Sequence, residues 1–508
     1  MTVRVLPDKS EFVVAFEAGR SQVVWAELVA DLETPVSAML KIASGCANCF
    51  LLESVEGGTA RGRYSFIGID PDTIWRCFGN RAEVNRDALT DPDAFADCPI
   101  GQREGAIQSL RALFRASLID LPKDLPPMSA GLVGYLGYEV VRLIEHLPTT
   151  KPDVLGVPDA LFLRPTVIAV FDNVADKITI VAPVWADEAA SADEAYAQVS
   201  DRLSAVASRL QGEVPCPRAI NLAPVTSLEP ASNFTREEYY KAVDAAKELI
   251  AAGDIFQVVP SQRFRSPLPG DPFAFYRALR RLNPSPFLFF LRFAGFSVVG
   301  SSPEIMVRVR GGKVTIRPIA GTRRRGETAE EDRRLGEDLL ADPKELAEHL
   351  MLLDLGRNDV GRVARIGTVR VTEKMVIERY SHVMHIVSNV EGELDSRYDA
   401  IDALFAGFPA GTVSGAPKVR AMEIIDVLEP ERRGIYGGCI GYLGANGELD
   451  TCIALRTAIV KDGVLYVQAG GGVVADSDPA FEHQECVNKA SALFRAAELA
   501  ASYDATGR

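Results

Sequence analysis

The chain is organised around residues 342–359, where Leu346, Leu350, Leu353 and Leu355 make an apolar stripe at helical spacing. Asp342 before Pro343 reads as an N-cap with proline at the first helical position, where its missing N–H does no harm. Gly356 is the predicted stop. Glu345 and Glu348 stand three residues apart, so both carboxylates leave one face near the helix start. A second helix repeats the construction: Asp478-Pro479 opens it, and Glu482, Glu485 and Lys489 follow along one face.

Elsewhere short alternating runs dominate. Residues 1–32 suggest a strand or two, then a short amphipathic helix containing Val24, Leu28 and Val29. Cys49 to Ser54 and Gly62 to Gly68 read as antiparallel partners across Glu56-Gly57-Gly58. Gly131–Gly137 is a glycine-studded apolar segment leading into a helix that ends near His146 and Pro148. Leu161–Phe171 and Lys177–Val184 form a hairpin around Asp172-Asn173. Asp187–Leu210 reads as a surface helix, and the proline-rich Gly212–Pro230 as a linker.

From Asn233 the signals sharpen. Thr235 and Glu238 make a capping box for a helix through Ile250, closed by Gly253. Ile255–Phe264 is a strand interrupted by Pro260, and Asp271–Leu282 a helix. Strands follow at Phe287–Phe293 and Phe296–Gly300, with a hairpin of Glu304–Arg310 and Lys313–Ile319 across Gly311-Gly312. A helix covers Ala329–Leu340, and further strands lie at Gly367–Val371, within Glu378–Val390, and at Gly438–Leu443, Ala454–Val460 and Leu465–Gly470. Many adjacent strands with few strand–helix–strand units favour an α+β fold. The division expected is an N-terminal part, 1–185, a surface helix and linker, 186–232, and a C-terminal part, 233–505.

Composition narrows the function. The 508 residues are 47% hydrophobic and 24% charged, as in ordinary globular proteins. A net charge of −14 argues against nucleic acid or membrane surfaces as partners. Eight cysteines in so long a chain do not make a disulfide scaffold, which fits a reduced, cytoplasmic setting, and Cys46-x-x-Cys49 reads as structural. The N-terminus lacks the apolar core of a signal peptide.

Two capped helices, each presenting a carboxylate pair, can converge on a hard cation such as Mg²⁺, which takes oxygen ligands and leaves positions for water and an anionic substrate. The same Glu-x-x-Glu spacing also occurs on solvated helix faces. Ala469-Gly470-Gly471-Gly472-Val473, just before the second carboxylate helix, offers backbone N–H donors to an anion. Gly321-Thr322 and Gly411–Lys418 are further such loops. Arg323-Arg324-Arg325 reads as a solvated basic turn, and Gly437–Gly441 only outlines a nucleophile elbow, since Cys439 sits in a strand-like run.

Five ordered motifs together resemble the chorismate-utilising enzymes, most closely the large subunits of anthranilate synthases. They are Pro318-Ile319-Ala320-Gly321-Thr322, Glu345–Asp359, Phe408-Pro409-Ala410-Gly411-Thr412 through Lys418, Ala469–Val474 and Glu482–Lys489. The resemblance implies helices layered around orthogonally packed, mainly antiparallel sheets. It implies Mg²⁺ held by Glu348 and Glu485, with Glu345 and Glu482 reaching it through water. Gly321 and Thr322, Tyr436, Arg456, the amides of Gly470, Gly471 and Gly472, and Lys489 would bind chorismate. Glu304 would be the general acid, and His385 and Thr412 would lie near the reacting ring; the role of His382 stays open.

The reaction implied converts chorismate and ammonia to anthranilate and pyruvate. With no glutaminase nucleophile in the chain, nitrogen from glutamine would need an amidotransferase subunit (component II). Water-adding relatives carry lysine at the position of Gln257, and aminodeoxychorismate synthases carry lysine at Ala320; both absences favour anthranilate over isochorismate, salicylate or aminodeoxychorismate. A non-catalytic chorismate or tryptophan sensor is the other alternative, against which the intact Glu304, Glu348, Glu485, Arg456 and Lys489 speak. Leu52, Glu53 and Ser54 with Pro286, Phe287 and Leu288 resemble the family's tryptophan feedback site, although Phe287-Leu288 stands where tyrosine-methionine is usual. An oligomer is expected.

Overall fold

The computed structural model describes residues 4–56, 60–147, 151–186, 191–215, 227–268, 270–380 and 383–500. His382, Pro148, the Gly57-Gly58 turn and most of the expected linker lie outside them.

Alternating side chains sort the strands into layers. On the strand Phe287–Phe293, Leu288 and Phe290 enter one core while Phe289 and Leu291 enter another. On Cys439–Gly444, Ile440 and Tyr442 share the core of Phe289, and Cys439 and Leu443 face a third. A side-chain period of two thus gives each of these two strands two buried faces. The middle core lies between sheet halves, and helices cover the outer two. The first outer layer includes Pro272–Leu282 and Pro479–Ala500; the second includes Ala106–Ala116 and Ala400–Gly407.

Among the described residues 22 strands join through hydrogen-bonded ladders into one system, in which neighbours run antiparallel. The sheet crosses the expected linker freely. Cys49–Glu56 pairs with Phe287–Phe293, and Gly131–Leu136 with Cys439–Gly444, so N- and C-terminal parts share strands. No described helix is long and apolar enough to cross a membrane.

Several elements depart from the sequence reading. Val24, Leu28 and Val29 lie on a strand, Gln22–Val29, paired with Lys177–Val184, and the helix comes earlier, at Lys9–Glu17, capped by Asp8. Ladder pairing overrides the weak helical spacing there. The segment after Gly131–Leu136 is a 3₁₀ turn, Tyr138–Leu143. The helix Pro343–Gly361 runs through Gly356, whose missing side chain lets Pro318 pack closely: a Cβ would lie 3.2 Å from its Cγ. The Ala192–Gln211 helix is no mere surface element, since Val199, Leu203, Val206 and Leu210 join the first outer core. Ala106–Ala116, Ala400–Gly407 and Lys418–Leu428 are helices the sequence reading did not mark; the second is buried all round and carries no stripe to read. The Thr235–Glu238 capping box stands as expected, on Arg236–Ala251. Cys46 and Cys49 are free thiols, and Cys46 donates to Asp70 at 3.5 Å.

Candidate active site

Two helices bring acids to one cavity. Asp342 caps Pro343–Gly361 by accepting from the N–H groups of Lys344 and Glu345, and Lys344 reaches across to Asp476, 3.1 Å away, just before the other helix begins. Between the helices lies a cavity of about 220 Å³. Its wall holds Glu304, Gly321, Thr322, His385, Thr412 and Tyr436, together with Arg456, Gly470, Gly472, Glu348, Glu485 and Lys489. Twelve of the fifteen residues expected to act on substrate or metal are therefore gathered on one wall.

The other three stand just behind. Arg323 holds Glu345 at 2.8 Å while also pairing with Asp342 and Asp338. The basic run is thus no open turn: Arg324 and Arg325 are likewise tied, to Glu331 and Asp332. Glu482 is buried, its Oε2 lacks a hydrogen-bond partner, and a Cβ at Gly471 would sit 2.9 Å from that oxygen.

Crowded acids raise one another's pKa. Burial pushes Glu348 up first, Glu345 and Glu485 push the same way, and the Gln257 amide, donating at 3.3 Å, opposes them. Glu482 is raised by burial and by Glu485. Such mutual repulsion is what a cation relieves. Among the described residues no three ligating side chains close into a ready metal cage. Lys489 partly answers the charge, pairing with Glu485 at 2.5 Å and donating to the Gly470 carbonyl at 2.9 Å.

Glu304, on the same wall, follows the strand Phe296–Ser302. Burial raises its carboxyl, against the pull of Thr412, Arg456 and Lys489. Thr412 Oγ1 lies near enough to favour the charged form, yet makes no hydrogen bond of good geometry. Arg456 sits at φ +47° between two strands, an uncommon conformation for a residue with a side chain, and burial disfavours its charge while Tyr436 and Glu304 oppose that loss.

His385 is oriented by a bulge. The ladder between Ile319–Arg324 and Val383–Glu393 shifts register between Ala320 and Thr322, and Gly321 takes φ +70°. The Gly321 carbonyl thereby comes 3.0 Å from His385 Nδ1, with Thr322 Oγ1 at 3.1 Å. A carbonyl only accepts, so Nδ1 carries the proton and Nε2 keeps its lone pair. Burial lowers the imidazole's pKa and keeps it neutral.

Gln257 and Ala320 also line the cavity, and so do Leu352, Leu455 and Leu493, which the sequence reading missed. Leu352 was within reach, four residues beyond Glu348 on the same helix face. Arg433 was not. Fully buried behind the wall, it pairs with Glu429 and donates to the carbonyls of Val413 and Val259, each at 2.6 Å. We expect Arg433→Met to cost about 3–5 kcal/mol in urea unfolding, because buried Glu429 loses its ion-pair partner, keeping only the Ser261 donors, and two carbonyls lose their donor. An unchanged unfolding midpoint would contradict this.

The six residues expected to hold tryptophan all line a second cavity, of about 1030 Å³. Ser54 faces Phe287 in the ladder, and Glu53 faces Leu288. The Glu53 carboxylate is taken up by Arg280, at 2.6 and 2.8 Å, and by the Tyr276 hydroxyl. It can shape that wall; it has no charge to spare for a ligand.

The family model for chorismate binding enzymes matches residues 48–495. The anthranilate synthase component 1 of Cereibacter sphaeroides is 60% identical over 488 residues, 96% of this chain and 96% of its own. That of Pseudomonas putida is 48% identical, over 97% of this chain and 99% of its own. The crystal structure of anthranilate synthase component I from Streptococcus pneumoniae matches at a TM-score of 0.76 with 36% identity, covering 85% of this chain and 92% of that one. The menaquinone-specific isochorismate synthase from Escherichia coli shares the fold, at a TM-score of 0.69 and 18% identity over 97% of this chain and 100% of that one. With most of its length in the family model and relatives this similar end to end, the chain belongs to the chorismate-binding enzymes, beside the anthranilate synthase component 1 proteins.

Proposed function

We propose that this chain is the large subunit of an anthranilate synthase, forming anthranilate and pyruvate from chorismate and ammonia in tryptophan biosynthesis. The observation that carries this reading is the meeting of Glu304, Arg456, Lys489, Glu348 and Glu485 on one cavity that has Gln257 and Ala320 in place of lysine. Neither side chain can serve as a base for water or as an amine nucleophile.

Chorismate carries two carboxylates. Arg456, Tyr436 and the amides of the Gly470–Gly472 turn suit one of them. A Cβ on Gly472 would fall 2.4 Å from Gln257 Nε2, so glycine keeps that approach open. The other carboxylate faces the acids. Mg²⁺ fits there, since it is commonly held by one or two carboxylates plus water and substrate, and the Glu482 oxygen without a partner suits a water-mediated contact. Glu348 and Glu485 would hold the ion directly, with Glu345 and Glu482 behind. Bound Mg²⁺ would neutralise the ring carboxylate, while Lys489, between Glu485 and the Gly470 carbonyl, offers its ammonium to the substrate.

Ammonia adds to carbon 2, the ring double bond shifts, and the 4-hydroxyl leaves as water with a proton from Glu304. Loss of the carbon 2 proton then breaks the bond to the enolpyruvyl oxygen, and pyruvate departs as the ring becomes aromatic. His385 Nε2, unprotonated in the cavity, is the base at hand. A separate amidotransferase subunit would supply ammonia from glutamine, and a cytoplasmic setting agrees with the free thiols.

The test is direct. Purified protein with chorismate, Mg²⁺ and ammonium at alkaline pH should yield fluorescent anthranilate and an equal amount of pyruvate, and EDTA should stop both. Aminodeoxychorismate, isochorismate or salicylate as the product would overturn the reading.

The larger cavity supports tryptophan feedback. Leu52, Pro286 and Phe287 offer the indole an apolar wall, with the Leu288 backbone between them, and Ser54 Oγ lies 3.4 Å from the Tyr64 carbonyl beside it. Ser54→Phe should fill that space and raise the tryptophan concentration for half-inhibition by about tenfold or more, equivalent to at least ~1.4 kcal/mol of binding. An inhibition curve unmoved by the substitution would remove the site from this wall.

A further inference from the structure

We propose that Ser301 is a positioning residue that joins the wall of the large cavity to Arg456 and Glu304, so that an occupant of that cavity is felt at the reacting centre. The inference rests on the functional reading above for what the two cavities bind, and on the following contacts for how they are linked.

Pro303 and Ile319 line both cavities, so the two are separated by a single wall. Ser301 and Ser302, both fully buried, run into that wall. On one side they pair directly with the tryptophan-cavity strand, Leu288 opposite Ser301 and Phe287 opposite Ser302. The Ser301 hydroxyl also donates to the Asn283 carbonyl, at the start of the turn that presents Pro286, Phe287 and Leu288. Both ends of that turn are therefore anchored on one residue.

On the other side, the ladder to Thr457–Lys461 ends at the pair Gly300 and Thr457. The Ser301 N–H carries it one step further by donating to the Arg456 carbonyl at 3.1 Å. Arg456 stands in the left-handed region, where a side chain is disfavoured, so its aim depends on such tethers. Three residues along, the Glu304 carbonyl accepts from Ile453 N–H at 3.0 Å, on the strand that leads back to Arg456. A ligand that spreads the Asn283–Leu288 turn pulls on Ser301 by its hydroxyl and its ladder pair together. The displacement passes to Arg456 and Glu304 through backbone bonds alone.

The measurement is a coupling factor: the ratio of chorismate affinity without tryptophan to that with saturating tryptophan. Couplings between sites are commonly about 5- to 150-fold, and tryptophan affinity must fall by the same factor when chorismate is bound. Ser301→Ala keeps the backbone bond to Arg456 and removes the tether to Asn283. Its coupling factor should drop to less than about a third of the native value in both directions, while tryptophan alone still binds within about threefold of native. The ratio is internal to each protein, so a change in basal turnover does not obscure it. Ser301→Cys, with a poorer donor of similar volume, should fall between, and it carries the test by itself if the alanine variant does not fold. Native coupling retained in a folded variant would overturn this inference alone. A native protein that binds chorismate but ignores tryptophan would overturn the regulatory reading and this inference with it.

Discussion

Glu304→Gln should lower kcat for ammonia-dependent anthranilate formation by about a hundred- to ten-thousand-fold, the range a general acid contributes. Glutamine matches the carboxyl in shape and keeps the backbone bond to Ile453. Arg456 and Lys489 are untouched, so the KM for chorismate should move little; a loss confined to KM would mean that Glu304 binds and does not donate. The pH dependence has a definite sign. Burial raises the Glu304 carboxyl, so its acid form persists above the ordinary carboxylate range and is lost as pH climbs through the raised value. With rates normalised to free ammonia, the native enzyme should show a limb falling toward high pH, and the variant should lack it. Stability runs the same way: the folded state binds this proton more tightly than the unfolded chain, so Glu304 stabilises less as pH rises through that window. The glutamine variant should accordingly melt no lower than native protein at pH 8, which separates loss of chemistry from loss of fold.

Glu348→Gln is the second large effect, expected to raise the Mg²⁺ needed for half-maximal turnover by about a hundredfold or more. Glu345→Gln and Glu482→Gln should cost about 10- to 100-fold, as groups that act on the ion at second hand do. Glu345 is already held by Arg323, and Glu482 stands behind the Gly471 backbone, so neither is free to replace Glu348. A readout without turnover is available. In metal-free protein Glu348 is pushed up by burial and by its acidic neighbours, so removing its charge should leave the melting temperature equal or higher at pH 8, while added Mg²⁺ with chorismate should stabilise the variant less than native. An unchanged Mg²⁺ requirement would take Glu348 out of the metal site.

Much of this site is visible in one dimension because its parts are local. The caps at Asp342 and Thr235, and the acid pairs Glu345–Glu348 and Glu482–Glu485, need only a few consecutive residues and the helical period. The strand Phe287–Phe293 is visible for the same reason, through alternation that feeds two cores. Where local signals compete, they mislead. Val24 and Leu28 carry a helix-like spacing, but a ladder to Lys177–Val184 made them a strand, and Gly356 lies inside a helix because Pro318 packs against it.

Sequence alone thus determined which residues carry charge and which faces of single elements present them, since dihedral periodicity acts within a turn or two of chain. Tertiary structure decided which of them meet and in what state. It turned the Glu53 carboxylate to Arg280 and Tyr276, tied Arg323 to three acids, and assigned the His385 proton through a bulge at Gly321. It also set Arg433 against the carbonyl of Val259, 174 residues away in the chain. Contacts at such separations leave no periodic trace in sequence, because they are selected by the shape and burial of the folded core.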